Sequence, residues 1–167
     1  MENKTVFIRD NFMSAGETEI TDAEGQVVGL LDLQSAFTSS VRVLDQDGRL
    51  QVTGGFRFFS NRWTVSGPNG EERGTVRMKM SLWNKRFVYE TSAKTYIITS
   101  PAFSRNYEIH DELEAPAASF ERVSGMFSSG AYRVENSGKL PTAEWIAVVM
   151  GVHNIQKRNN HAASSTT

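Results

Sequence analysis

The chain has 167 residues, of which 39% are hydrophobic, 22% charged and 10% aromatic. That is enough for one domain with a substantial core and is ordinary globular composition, neither disordered nor fibrous. A formal charge of −1 and a pI near 6.3 imply neither nucleic acid nor an acidic surface as partner, and the lack of any cysteine excludes a disulfide scaffold, a thiolate metal site and cysteine catalysis.

The opening MENKTVFIRD has no apolar run behind a basic region, so no signal peptide is expected, and no segment reaches the roughly 18 apolar residues of a membrane-spanning helix. The expected location is the cytoplasm, with peripheral attachment to a membrane as a further expectation. Charge is distributed unevenly. Residues 1–50 carry four Lys/Arg against nine Asp/Glu, whereas residues 57–94 carry eight against three. The small total hides a basic middle third.

Along the chain, turn signals recur at a steady interval. TDAEGQ places a turn at 22–25, LDQDGR at 45–48, and SGPNGE at 67–70, where Pro68 and Asn69 supply favoured turn geometry. ETSAKT at 91–94 is weaker, HDELEAPAAS offers a looser turn at 111–116, and VENSGK closes the series at Gly138. Gly25 to Gly48 is 23 residues, Gly48 to Gly70 is 22, and Gly70 to Gly138 is 68, close to three more steps. Between the turns the sequence alternates. Val41 and Val43, Val76, Met78 and Met80, Phe87 and Tyr89, Tyr96 and Ile98, and Tyr107 and Ile109 each point to one face. One period accommodates two strands of about eight residues with their connections, so six units predict about twelve antiparallel strands.

The stretch LPTAEWIAVVMGVHNIQKR then changes character. Pro141 and Thr142 suit a helix start, Glu144 sits where the helix dipole favours an anion, and Lys157 and Arg158 where it favours cations. A helix over about 141–156 is expected, with 159–167 a disordered tail and 1–158 a single domain. The apolar run of about 14 residues gives a helix of about 21 Å, short of a roughly 30 Å hydrocarbon core. Being apolar on every side, it must be buried on every side. A sandwich leaves one flank wet, whereas a closed barrel of about eleven or twelve strands has room for a helix. Ala147 and Gly151, one turn apart, leave space for large side chains from the wall. The expected fold is therefore mainly β with one helix: a closed antiparallel barrel around a central hydrophobic C-terminal helix.

This pattern resembles the tubby C-terminal-like superfamily, which includes the tubby proteins, the phospholipid scramblases and the LURP-one-related proteins. FIRDNFMSAGETEITDAEGQVVGLL resembles the opening hairpin of the small LURP-one-related members, VTGGFRFFSNRWTVSGPNGEERGTVRM their second unit, and AEWIAVVMGV their core helix. The resemblance covers about residues 4–158. It implies the barrel fold and, from the tubby domains, recognition of phosphoinositide headgroups by basic side chains. The tubby lysine/arginine cluster has no counterpart string here, and this chain lacks the membrane segment and cysteine-rich features expected of scramblases.

A search for catalytic chemistry returns nothing. His110, His153 and His161 are too scattered for a metal signature, and DQDG at 45–48 starts like a calcium loop but lacks the later ligands. There is no G-x-S-x-G elbow and no phosphate-cradling loop. Gly54-Gly55 marks a bulge or strand bend, and Glu71-Glu72 a solvated turn. No enzyme, metal or cofactor is expected. The positive lead is the basic middle. Arg77 and Lys79 share the outward face of a strand, Arg57 and Arg62 precede the neighbouring hairpin, and Lys85 and Arg86 follow Trp83. These six cations are the candidate site for an anionic ligand such as a lipid headgroup. The alternatives are a protein-interaction scaffold without a ligand, and a carrier barrel for a small apolar molecule.

Overall fold

A computed structural model describes residues 4–9, 16–34, 40–80, 85–100, 106–124 and 130–164, with the backbone alone at Met80, Lys85, His161, Ala163 and Ser164. The described chain forms twelve strands and one helix. The strands are β1 (Thr5–Arg9), β2 (Gly16–Thr21), β3 (Val27–Gln34), β4 (Ser40–Asp45), β5 (Leu50–Phe56) and β6 (Trp63–Ser66), then β7 (Glu72–Met80), β8 (Lys85–Thr91), β9 (Thr95–Thr99), β10 (Tyr107–Asp111), β11 (Pro116–Val123) and β12 (Ala131–Asn136). The helix α1 is Thr142–Ser164. Each strand pairs antiparallel with the next, and β1 pairs with β12 from Thr5↔Glu135 to Arg9↔Ala131, closing the barrel.

The expected turn code has a physical basis. In the β2–β3 turn the Asp22 carboxylate accepts from the backbone N–H of Glu24 and Gln26, at 3.1 and 2.8 Å, and Gly25 N–H donates to Asp22 O. Asp45 repeats this with Asp47, Arg49 and Gly48 between β4 and β5, and Asp111 with Leu113, Ala115 and Glu114 between β10 and β11. The residue three after the aspartate takes a left-handed conformation in each (φ 79°, 75° and 62°). Glycine fills it twice and Glu114 once, which is why the third turn looked looser in sequence. Asp45 is thus a turn-former, as its place in DQDG suggested.

Two expectations are corrected. Gly138 leads from β12 into the helix instead of closing a hairpin. Gly54 and Gly55 pair in unbroken register with Val65 and Thr64, without a bulge. Gly54 lacks a side chain for a different reason: a Cβ there would lie 2.7 Å from the Trp63 indole. Trp63 is fully buried, and a Cβ on Gly151 of α1 would come within 2.3 Å of it. The indole therefore fits between two glycines, one on the wall and one on the helix, and its Nε1 donates to the Ala147 carbonyl at 3.1 Å.

Every residue of α1 from Thr142 to Val152 is buried, against inward wall residues such as Val6, Ile8, Ile20, Leu31, Val52 and Ile98. The space that a carrier barrel would offer a ligand is taken by this helix. Asn136 anchors its start, donating to Leu140 O (2.8 Å) and Thr142 Oγ1 (3.1 Å) and accepting from Trp145 Nε1 (3.1 Å).

α1 runs beyond the expected end at 156, through Ser164, so residues 159–164 are helical rather than a tail. The apolar run stops at Ile155, but the following residues are held from outside the helix. Arg158 donates to Ser60 O at 3.3 Å and stacks over Phe56 (3.5 Å to the ring centre), and Asn61 donates to Asn159 at 3.1 Å. Among the described residues, no helix is long and apolar enough to cross a membrane.

The direction of α1 distinguishes the two barrel ends. It starts beside the aspartate turns and finishes at the opposite end, where β5 meets β6 and β7 meets β8.

Candidate binding surface

Of the basic residues of the middle third, Arg57, Arg62, Arg77, Lys79 and Arg86 lie toward that second end, whereas Arg73 and Lys94 lie at the first, beside Glu144 and Asp111. β7 turns Val76 into the core and Arg77 and Lys79 outward, as alternation requires. Arg77 holds Glu90 of β8 through two hydrogen bonds, 2.8 Å from Nε and 2.6 Å from Nη2. The Arg77 bond is the main cause holding the Glu90 carboxyl below the usual range, and Arg62 and Lys79 also contribute. One carboxylate thus has three cations around it. Arg86 stands across from Lys79 in the strand register, and Lys79, Arg62 and Arg86 are exposed.

The structure therefore brings together Arg62, Arg77, Lys79 and Arg86 of the six expected residues. Arg57 is set apart because its guanidinium pairs with Glu72. It borders a groove of about 490 Å³ that runs over Gly55 between Arg42, Thr53 and Ser66. The Lys85 side chain and Trp83 lie outside the described residues. Among the described residues, no three histidines or carboxylates are placed to hold a metal ion.

Two residues of this end, Phe58 and Phe59, were not among the expected site residues, and Arg158 was expected only as a helix-end cation. Phe58 and Phe59 are almost fully exposed at the tip between β5 and β6, and Arg158 adds a cation from the helix. The signal was present in RFFSNR, where an aromatic doublet breaks the alternation directly before the turn-forming Ser60 and Asn61.

At the opposite end a second ionic cluster is buried. Glu144, 3% exposed in the first turn of α1, accepts from the Tyr89 hydroxyl at 2.7 Å and from Arg73 at 3.3 Å. Burial, followed by the neighbouring carboxylate, pushes the Tyr89 phenol far up, so it remains a donor. The Tyr96 ring packs edge-on against Trp145 at 4.9 Å beside it. The carboxylate lies where the helix dipole favours an anion, and Arg73 and Tyr89 tie it to the wall, so this cluster fixes the helix in place.

The paired carboxylates yield a pH prediction. Asp111 is held below its ordinary range first by the Lys94 ammonium, 3.0 Å away, then by the turn N–H groups; Glu90 is lowered by Arg77. A carboxyl lowered in the folded state stabilises above its unfolded pKa of about 4, and that contribution disappears as pH falls through the folded value. The double variant Glu90→Gln/Asp111→Asn keeps the turn acceptor of Asp111 but removes both charges. Melting temperatures from pH 7 to pH 3 should converge for wild type and variant below about pH 4. A constant gap across that range would show that the pairs do not carry the dependence.

A family model described as LURP-one-related matches residues 4–151. The X-ray structure of a protein from Arabidopsis thaliana superposes with a TM-score of 0.60 over 95% of this chain and 93% of that one, at 14% identity. At that identity the likeness speaks for the fold alone. No curated protein matches the sequence.

Proposed function

The chain belongs to the LURP-one-related family, and from that premise we propose that it is a non-enzymatic binding module for anionic lipid headgroups, of the phosphoinositide kind, at a membrane surface. The tubby-like barrel is a scaffold with a filled interior, so recognition falls to its outer wall and loops. One observation carries the reading: Arg77, bonded to Glu90, shares the outward face of β7 with Lys79, Arg62 also acts on that carboxylate, and Arg86 stands opposite Lys79. Guanidinium groups suit phosphate because they offer paired donors in one plane. Arg77, fixed by Glu90, supports the patch, while Arg62, Lys79 and Arg86 face the solvent. Each cation near an anionic bilayer contributes about 1 kcal/mol.

Co-sedimentation tests this with vesicles of phosphatidylcholine alone, with added phosphatidylserine, and with added phosphoinositide. The wild type should pellet with the anionic vesicles, and Arg62→Ala/Lys79→Ala/Arg86→Ala should bind them roughly a hundredfold less tightly. Equal binding to neutral and anionic vesicles, or an unaffected variant, would overturn the reading. The second candidate, a surface for a protein partner, would then take its place.

A further inference from the structure

We infer that the tip of the β5–β6 hairpin, Phe58 with Phe59, is a wedge that enters the bilayer interface, so that attachment has an apolar component beside the headgroup contacts. The membrane as occupant rests on the function proposed above; the wedge itself rests on separate observations.

Phe58 is 89% and Phe59 100% exposed, whereas the other described phenylalanines pack against the protein. Their ring centres are 4.6 Å apart, edge to face, so the doublet presents one compact apolar unit. Phe59 has φ 56°, a left-handed conformation that bulky residues rarely adopt and that persists only where the surroundings impose it.

Those surroundings are visible. Arg57 N–H donates to Arg62 O (3.3 Å), Ser60 N–H to Arg57 O (3.1 Å), and Arg62 N–H to the Ser60 hydroxyl (3.0 Å). From α1, Arg158 reaches Ser60 O and Asn159 accepts from Asn61. The hairpin is therefore braced on the core helix while its two largest side chains point away from the body.

Charge complementarity selects the occupant. Arg158 and Arg57, the latter paired with Glu72, line the surface at the base of the doublet, and residues 54–66 contain no carboxylate. An apolar tip with a guanidinium collar matches the interface of a bilayer, where rings enter the acyl boundary and cations meet phosphate.

The aspartate turns of the opposite end, 22–25, 45–48 and 111–114, hold no aromatic residue.

The absence of cysteine allows a unique label. Phe58→Cys carrying an environment-sensitive fluorophore should shift to the blue on phosphatidylcholine/phosphatidylserine vesicles and be quenched by shallow brominated lipid. The same label at Asp47→Cys, in an aspartate turn, should not respond. Phe58→Ser/Phe59→Ser should melt like the wild type and lose on the order of tenfold or more of its vesicle affinity, with the loss persisting in high salt, which screens the headgroup contacts but not the apolar ones. A silent Phe58 label on vesicles that the chain still binds in an anion-dependent way overturns the wedge and leaves headgroup recognition standing. Insertion without anionic preference overturns headgroup recognition and leaves the wedge. A chain that pellets with no vesicle overturns both.

Discussion

Val149→Asp is expected to yield no soluble, cooperatively melting protein. Val149 is 1% exposed, and the helix around it is buried on all sides from Thr142 to Val152. On an ordinary amphipathic helix, a rotation or a shifted rotamer carries a new carboxylate to water. Inside a closed wall every direction leads to another apolar side chain. The group must stay charged without a partner or take up a proton, and either costs several kcal/mol. That approaches the whole stability of a domain, about 5–15 kcal/mol. Soluble yield and circular-dichroism melting measure the outcome. Lys157→Asp, on the exposed face of the same helix, serves as the control for loss of helix propensity or of charge. A soluble Val149→Asp protein melting near the wild-type temperature would remove the helix from the centre of the fold.

Gly151→Leu is expected to cost about 3 kcal/mol, which for a chain of this length lowers the melting temperature by roughly 6–12 °C. Glycine is a poor helix former, so on propensity alone the change would stabilise by up to about 1 kcal/mol. Packing reverses the sign. A Cβ at 151 stands 2.3 Å from Trp63, and the indole cannot retreat because Gly54 closes on its other side. Displacing it also breaks the bond from Nε1 to Ala147 O. The fit is tested by adding Trp63→Leu. If the glycine exists to admit the indole, the double variant is more stable than the sum of the two single losses. Strict additivity would mean that the two residues do not share the space.

The sequence made the aspartate-turn end legible because its chemistry is local. An Asp that accepts from two N–H groups, followed by a residue in left-handed conformation, can be recognised within five residues. The helix was legible from eight consecutive apolar residues, and its enclosure followed from their having no polar side. Its last turns were not legible, because Arg158 and Asn159 are held by Ser60 and Asn61, about a hundred positions earlier. The basic surface was legible as composition but not as arrangement. That Glu90 comes to rest among Arg62, Arg77 and Lys79 depends on the β7–β8 register, and that Arg57 is occupied depends on Glu72 across β6. The Phe58-Phe59 doublet was overlooked for another reason: aromatic residues between two strands read as core until the hairpin places them beyond it.

The seam between β1 and β12 has a consequence for how the chain reaches its native state. Its pairs join Thr5 to Glu135 and Arg9 to Ala131, so the wall cannot shut until nearly all of it has left the ribosome. The helix follows that seam in the sequence and is tied to β12 by Asn136. A wall that shut first would enclose a water-filled lumen lined by apolar side chains, so closing and filling belong to one event. Such long-range pairing makes for slow folding and leaves half-covered strands exposed meanwhile. A chain that stops before α1 is therefore expected to lack a cooperatively melting fold, because the wall then has nothing to close on.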